Sequence, residues 1–260
     1  MRVFVVDAFT DAVFGGNPAG VVLLDAPADA VWMQQVAAEF RHAETAFLLP
    51  RSDGAYDLRW FTPVVEVDLC GHATLAAAHV LASVGAAGPF RFQTRSGELS
   101  AVVADGTITL DFPAQPAHRT DVPVGLETAL DLEIDAAWTN DVDLLVEAAS
   151  AAAVLDVAPD FAAISRLAYR GVVVSARADE GADHDFVSRF FGPRVGIDED
   201  PVTGSAHCML APFWAERLGR TSLVAVQLSA RRGRLAVEVL GERVVLRGSA
   251  VTFLAGELSA

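Results

Sequence analysis

The sequence predicts two similar halves that each combine β-strands with one buried helix, because the same pattern occurs twice, about 130 residues apart. The first copy passes from Arg59–Pro63 to a small-residue turn at Gly71 and then to an apolar segment. The second copy passes from Arg189–Pro193 to a turn at Gly204 and a similar segment. Each copy has the order of a strand, a turn and a helix. A helix that is apolar all round is typically buried, so we expect one helix in the core of each half.

The repetition continues beyond these helices. Apolar residues recur from Gly97 to Leu110 and again from Gly233 to Leu246, and a glycine interrupts each stretch. This alternation is typical of hairpin strands. Three matched blocks in the same order predict an internal duplication. Prolines at and just after Pro113 suit a connection between domains, so we expect domains at residues 1–113 and 114–260, with the last strand able to belong to either.

The remaining elements follow from local patterns along each half. In the first half, these patterns predict strands at 1–7, 21–24, 44–49 and 56–61, a turn-rich loop at 15–20, and helices at 29–40 and 71–84. In the second half, they predict helices at 120–132 and 160–167, and strands at 144–153, 171–176, 186–191 and 244–254.

Composition and charge exclude several classes of function. The chain has 19 basic and 34 acidic residues and a net charge of −15, so its average field would repel a phosphate backbone, and we expect no nucleic-acid partner. No apolar stretch reaches the roughly 18 residues that span a bilayer, and the N-terminal apolar run is too short for a signal peptide. The two cysteines form no disulfide framework and show no metal-ligand spacing. We therefore expect a cytoplasmic protein with no membrane contact and no metal.

The two helix starts are candidate binding sites for an anion. Gly71 and Gly204 would let backbone amides approach a ligand, although each could instead be a tight turn only. His72 and Ser205 follow these glycines. A histidine at a helix N-terminus tends to be neutral, and it could donate a hydrogen bond or relay a proton. Ser205 could instead be an N-cap, a role that Thr203 could also take.

Two carboxylates are candidates for proton transfer. Glu44 precedes the apolar run 46–49, and partial desolvation raises the pKa of a carboxyl group toward the range that suits a general base. Asp200 lies close before Ser205 and could assist a proton transfer in a cleft. Either residue could instead lie on the surface, Glu44 at a strand end and Asp200 in a turn. Cys70 is a further candidate nucleophile or proton donor, although a lone cysteine beside a turn usually packs as a small residue.

Four motifs, in order along nearly the whole chain, resemble one family. They are GNPAGV at 16–21, ETAF at 44–47, FTP with EVDLCGHAT at 61–74, and DPVTGSA at 200–206. These motifs resemble the PhzF-like family, the group around the phenazine-biosynthesis isomerase. The resemblance implies an α+β fold of the diaminopimelate-epimerase-like type, with two similar domains that each wrap a curved, mostly antiparallel sheet around a central helix. It also implies a homodimeric, cofactor-independent isomerase with its site in the cleft between the domains.

The same resemblance implies roles for individual residues. Glu44 matches the glutamate that moves a proton between carbons of the substrate, and His72, Asp200 and Ser205 match residues that support the transfer. The residues expected to contact the substrate lie in the same motifs: Asn17, Gly71, Ala73, Gly204 and Ala206. The function predicted is the isomerisation of a small carboxylate-bearing metabolite without a metal or a cofactor, which agrees with the absence of nucleotide-binding motifs.

The sequence leaves two alternatives open. An epimerase or racemase acting at one carbon could use Cys70, but Thr203 stands where a second thiol would be expected. A member of the family could also bind a small acid or a partner protein without catalysis. The chain departs from the family pattern before Glu44, where His42–Ala43 stand in place of the serine that is frequent in relatives. The substrate therefore stays unassigned, and a role in phenazine synthesis does not follow.

Overall fold

The protein, a computed structural model in which residues 1–259 are described, divides into two compact units. The first unit comprises Met1–Phe112 together with the chain from Leu246 onward, and the second comprises Pro113–Val245. The chain returns to the first unit at its end because the last strand pairs antiparallel with the first. None of the helices within residues 1–259 is long and apolar enough to cross a membrane.

The units contain eighteen strands and six helices among the described residues. The strands are β1 (Arg2–Ala8), β2 (Asn17–Leu23), β3 (Glu44–Pro50), β4 (Tyr56–Phe61), β5 (Glu66–Val67), β6 (Phe90–Thr94), β7 (Gly97–Ala104), β8 (Thr107–Pro113), β9 (His118–Thr120), β10 (Ala137–Thr139), β11 (Leu144–Glu147), β12 (Val172–Arg177), β13 (Phe186–Gly192), β14 (Ile197–Asp200), β15 (Ser222–Gln227), β16 (Gly233–Leu240), β17 (Arg243–Gly248) and β18 (Ala250–Glu257). The helices are α1 (Ala30–Phe40), α2 (Gly71–Ser83), α3 (Leu126–Leu130), α4 (Ala151–Asp156), α5 (Phe161–Ile164) and α6 (Gly204–Leu218), and a 3₁₀ turn covers Pro193–Val195.

The sheets of the two units repeat the same succession of pairings. In the first unit, β1, β2, β3, β4, β6 and β7 are neighbours in that order, and only the steps β2–β3 and β4–β6 are parallel. In the second unit, β10, β11, β12, β13, β15 and β16 follow the same order, with parallel steps at β11–β12 and β13–β15. The predicted fold class, two similar α+β units with mostly antiparallel sheets, is confirmed.

A matched ion pair marks the duplication at the strand that leads to each helix. Arg59 of β4 holds Glu66 through two hydrogen bonds of 2.7 and 2.8 Å, and Arg189 of β13 holds Glu199 through two of 2.7 and 2.9 Å. The hydrogen bonds from Arg59 lower the pKa of Glu66. The repeated arginines are visible in the sequence, but their carboxylate partners are not, because the second copy contains extra residues between arginine and glutamate.

A buried helix forms the centre of the first unit. Helix α2 packs against β1, β2, β3, β7 and β18, and nine of its residues are buried. Its alanines at 73 and 76–78 are fully inaccessible, and such small side chains let strands approach the helix closely. Burial of each larger side chain, such as Leu75, contributes about 1.5–3 kcal/mol, so the helix is held by its packing and not by polar caps.

The equivalent helix of the second unit carries larger aromatic residues. Helix α6 packs against β15 and β16, and the ring of Trp214 stacks on Phe186 with centroids 5.8 Å apart. The indole Nε1 of Trp214 donates a 2.9 Å hydrogen bond to Ser175 Oγ. A buried indole normally finds such a partner, so this contact sets the orientation of α6 against β12.

Several local predictions were wrong in extent. The helix expected at 160–167 covers only Phe161–Ile164, and the strand expected at 244–254 is divided between β17 and β18. The helix expected at 120–132 covers only Leu126–Leu130, because Gly125 before it takes a left-handed conformation with φ 83°. The strand expected at 144–153 ends at Glu147, where the Ser150 side chain accepts a hydrogen bond from Ala153 and begins helix α4. The loop expected at 15–20 becomes strand from Asn17, since this segment pairs with β1.

Candidate functional site

The first unit brings Glu44 and His72 into contact. Glu44 is the first residue of β3, and His72 is the second residue of α2. Glu44 Oε2 lies 3.3 Å from His72 Nε2, and the two side chains are only 12% and 4% exposed. The two residues meet because strand β3 packs directly against helix α2.

A second contact orients the His72 ring. The Asn17 side-chain nitrogen lies 3.1 Å from His72 Nδ1, and Asn17 is fully buried at the start of β2. An amide nitrogen only donates, so Nδ1 accepts and the ring proton is assigned to Nε2. The ring proton of His72 is therefore on the nitrogen that lies 3.3 Å from Glu44 Oε2, and Asn17, predicted as a substrate contact, lies next to the predicted catalytic histidine.

The electrostatic state of His72 follows from its burial. Desolvation, followed by repulsion from the charge of His42, lowers the pKa of His72 from 6.5 to about 3. The ring is therefore neutral at physiological pH. The sequence also predicts a neutral ring, but on the basis of the helix dipole, whereas loss of hydration is the larger cause in the structure.

Cys70 completes this group. It occupies the N-cap position of α2 without making a side-chain cap, and its Sγ lies 3.5 Å from His72 Nδ1 and 4.0 Å from His72 Nε2. One potential metal-ligand atom from each of Glu44, Cys70 and His72 lies within 4.8 Å of the other two. A carboxylate, a thiol and an imidazole thus share one buried location, beside the half-buried Gly71 and the buried Ala73.

The second unit orders Asp200 by a separate network. Thr203 Oγ1 donates a 2.5 Å hydrogen bond to Asp200 Oδ2. Gln227 Oε1 accepts from the Thr203 amide at 2.9 Å, and Gln227 Nε2 donates to the Asp200 carbonyl at 2.6 Å. All three residues are buried, so the turn before α6 is held by polar contacts on both sides. Gln227, in β15, was not identified from the sequence.

Ser205 contacts a charged pair that sequence reasoning missed. Arg170 Nη2 donates a 2.9 Å hydrogen bond to Ser205 Oγ, and the same guanidinium binds both carboxylate oxygens of the fully buried Asp143. Ser205 is the second residue of α6, and Thr203 occupies the N-cap position. The sequence shows only that Asp143 and Arg170 each stand just before a predicted strand, and the parallel pairing of β11 with β12 that brings them together is seen in the structure.

The predicted site residues therefore form two groups, one in each unit. Asn17, Glu44, Gly71, His72 and Ala73 lie in the first unit, around the start of α2. The second unit contains the equivalent group around the start of α6: Asp200, Gly204, Ser205 and Ala206. Each group combines a helix N-terminus, which suits an anion, with a carboxylate. This arrangement can bind an acidic molecule and move a proton.

Comparisons with known proteins identify the family of this chain. The family model described as phenazine biosynthesis-like protein matches residues 6–256. A Pseudomonas aeruginosa protein described as an uncharacterized isomerase is 51% identical over 261 residues, which cover 99% of this chain and 98% of that protein. A crystal structure of a PhzF-family protein from Enterococcus faecalis matches with a TM-score of 0.95 and 40% identity, over 100% of this chain and 99% of that chain.

A more distant structural match concerns the fold alone. A hydroxyproline epimerase from Agrobacterium vitis matches with a TM-score of 0.63 and 12% identity, over 98% of this chain and 91% of that chain. The epimerase-like architecture expected from the sequence is confirmed by this match.

Proposed function

Because this chain belongs to the phenazine biosynthesis-like family, we propose that it is an isomerase that moves a proton within a small carboxylate-bearing metabolite without a cofactor. The relatives described as isomerases support the reaction class. The observation that carries the proposal is the buried contact between Glu44 Oε2 and His72 Nε2 at 3.3 Å. A carboxylate held against a neutral imidazole is suited to accept a proton and release it again.

In this mechanism Glu44 is the base. It removes a proton from a substrate carbon that is acidified by a neighbouring carboxylate or conjugated system, and a proton is then returned at a different carbon. The side chain is only 12% exposed, so bulk water competes little for its oxygens. Positioned acid–base groups of this kind contribute typically 10²–10⁴-fold to the rate.

His72 acts as a neutral hydrogen-bond donor in the same mechanism. With its pKa lowered to about 3, it carries no positive charge near neutral pH that could quench the Glu44 carboxylate. Its Nε2 proton, oriented by the contact of Asn17 with Nδ1, can stabilise the carboxylate before proton transfer, or negative charge that develops on the substrate. Asn17 thus acts by stabilising the tautomer of His72 that has its proton on Nε2.

The helix starts are proposed to hold the substrate's acidic groups. Amides at Gly71–Ala73 and at Gly204–Ala206 are positioned for anions by the N-termini of α2 and α6. Ser205 Oγ already accepts a hydrogen bond from Arg170, so its own proton is directed to another acceptor, and a substrate carboxylate would serve. The proposal, as the family resemblance implies, is that Asp200 assists the return of the proton.

Hydrogen exchange tests the proposal while the substrate is still unidentified. A panel of unsaturated and cyclic carboxylic acids is incubated with the protein in deuterium oxide, and loss of carbon-bound protons is followed by NMR. We expect exchange into one class of compound, and we expect Glu44→Gln to reduce its rate by about 10²–10⁴-fold. The control variant Glu39→Gln removes the same charge from an exposed position of α1, and it should catalyse substrate hydrogen exchange at the rate of the parent protein. Parental exchange by a folded Glu44→Gln protein would exclude Glu44 as the base.

A second candidate reaction is epimerisation at one carbon by Cys70. It is favoured by the 3.5 Å separation between Cys70 Sγ and His72 Nδ1, which would allow the ring to share the thiol proton. Under this alternative, Cys70→Ala abolishes exchange at a single stereogenic carbon, and alkylation of the thiol does the same. Under the isomerase mechanism, Cys70→Ala retains the base and continues to exchange protons.

A further inference from the structure

Three different donor groups converge at the start of α2. Glu44 Oε2 lies 3.3 Å from His72 Nε2, Cys70 Sγ lies 4.0 Å from the same nitrogen, and the three donors span less than 4.8 Å. Each side chain is largely withdrawn from solvent. The proposed reaction requires only the carboxylate and the imidazole, so the adjacent thiol has no assigned role.

These separations fit a tetrahedral zinc ion. Zinc binds sulfur at about 2.3 Å and nitrogen or oxygen at about 2.0–2.2 Å, so ligand atoms that share one ion lie roughly 3.3–3.6 Å apart. The nitrogen–oxygen distance of 3.3 Å already falls in this range. The sulfur lies 4.0 Å from Nε2 and within 4.8 Å of the carboxylate oxygen, so metal binding would draw Cys70 Sγ toward both partners by roughly 0.5 to 1.2 Å.

We propose that Glu44, Cys70 and His72 form an inhibitory binding site for one thiophilic divalent cation, for which Zn²⁺ is the best match. A thiolate with an imidazole and a carboxylate is a ligand set that selects borderline and soft metals over Mg²⁺ or Ca²⁺. The bound ion would occupy the lone pairs through which Glu44 acts as a base. The inhibitory effect rests on the proposed function, because Glu44 and His72 also act in the proposed isomerisation. Binding of the metal itself does not depend on that reaction.

The proton balance of binding can be written from the same geometry. The Cys70 thiol loses its proton, which is released to solvent, and the thiolate, the neutral ring and the ionised Glu44 carboxylate coordinate the ion. The His72 proton moves from Nε2 to Nδ1 so that Nε2 can bind the metal. Asn17 then turns its amide to accept from Nδ1–H, the kind of outer contact that fixes a metal-bound histidine. Each ion bound therefore releases one proton.

Cobalt is the probe that tests this site directly. Titration of Co²⁺ into the metal-free protein should produce a near-ultraviolet thiolate-to-metal charge-transfer band and intense tetrahedral visible bands, both of which saturate at one equivalent. Zn²⁺ should then abolish these bands by displacing the cobalt. Asn17→Ala should weaken Co²⁺ binding by about 10–100-fold while retaining the charge-transfer band.

The two cysteines of the chain provide matched variants. Cys70→Ser should eliminate the charge-transfer band, whereas Cys208→Ser should retain it, because Cys208 is buried in α6 with its Sγ 3.6 Å from the Gly204 carbonyl oxygen. Circular dichroism establishes that both variants are folded. Absence of the band in the parent protein, or its persistence in Cys70→Ser, would overturn the metal site. Neither result bears on the isomerase proposal, which is decided by the deuterium experiment.

Discussion

The stability of this protein should fall in mild acid because of a buried histidine, His207. This residue of α6 is completely inaccessible to solvent, and its Nδ1 donates to the Thr203 carbonyl at 2.8 Å. Within residues 1–259, no hydrogen-bond partner is present for its Nε2. Desolvation therefore lowers the pKa of His207 from 6.5 to about 4, although the bond to Thr203 acts in the opposite direction.

The sign and size of the effect follow from linkage between protonation and folding. Below pH 6.5 the unfolded chain binds a proton at His207 that the folded protein does not accept, so stability falls as the pH falls toward about 4. Within this window, each unit by which the pH falls lowers the free energy of unfolding by about 1.4 kcal/mol. At pH 5 the loss from His207 alone is about 2 kcal/mol.

The duplication supplies the matched variant. Thr74 occupies the equivalent position of α2, and its Oγ1 makes the same kind of bond to the Cys70 carbonyl at 2.6 Å. His207→Thr should therefore keep a donor to the Thr203 carbonyl while removing the titrating ring. The smaller side chain lowers stability at every pH, but this cost cancels when pH 7 and pH 5 are compared within one protein. His72, whose pKa is also lowered, contributes equally to both proteins.

Urea denaturation followed by circular dichroism measures the difference. The parent protein should lose about 2 kcal/mol more than His207→Thr between pH 7 and pH 5. Histidine ring nitrogen shifts in the folded protein provide a direct check, since His207 should remain neutral at pH 5. Identical pH dependence in the two proteins, or a ring that titrates near pH 6.5, would refute the reasoning.

Three further predictions concern packing, charge and assembly. Leu75→Ala in α2 should destabilise the protein by about 2–5 kcal/mol, whereas Leu240→Ala, at a side chain that is 52% exposed, should be nearly neutral in the same urea assay. Arg170→Met removes the guanidinium that pairs with the buried Asp143 carboxylate and should lower the free energy of unfolding by about 3 kcal/mol. If the buried carboxylate causes this loss, the double variant with Asp143→Asn should recover part of the stability. Light scattering should yield twice the chain mass, because the family resemblance implies a homodimer; a mass of one chain at all concentrations would contradict it.

Features that depend on near neighbours were predictable from the sequence. Helices α2 and α6 are mostly apolar, apart from Glu216 and Arg217 in the last turn of α6, so their burial could be expected without coordinates, and the repeated glycine turns located their starts. The repeated strand pattern predicted the duplication that the strand pairings confirm. The residues of four ordered motifs were enough to indicate the family.

The contacts across the sheets were decided only by tertiary structure. The partnership of Arg170 with Asp143 and Ser205 depends on the register of two parallel strands and on the position of α6 beside them, and no local pattern encodes that register. The low pKa values of His72 and His207 likewise reflect how completely their surroundings exclude water. Periodicity along a chain records which face of an element is apolar, whereas the partner of a polar side chain is determined by segments distant in sequence that pack against it.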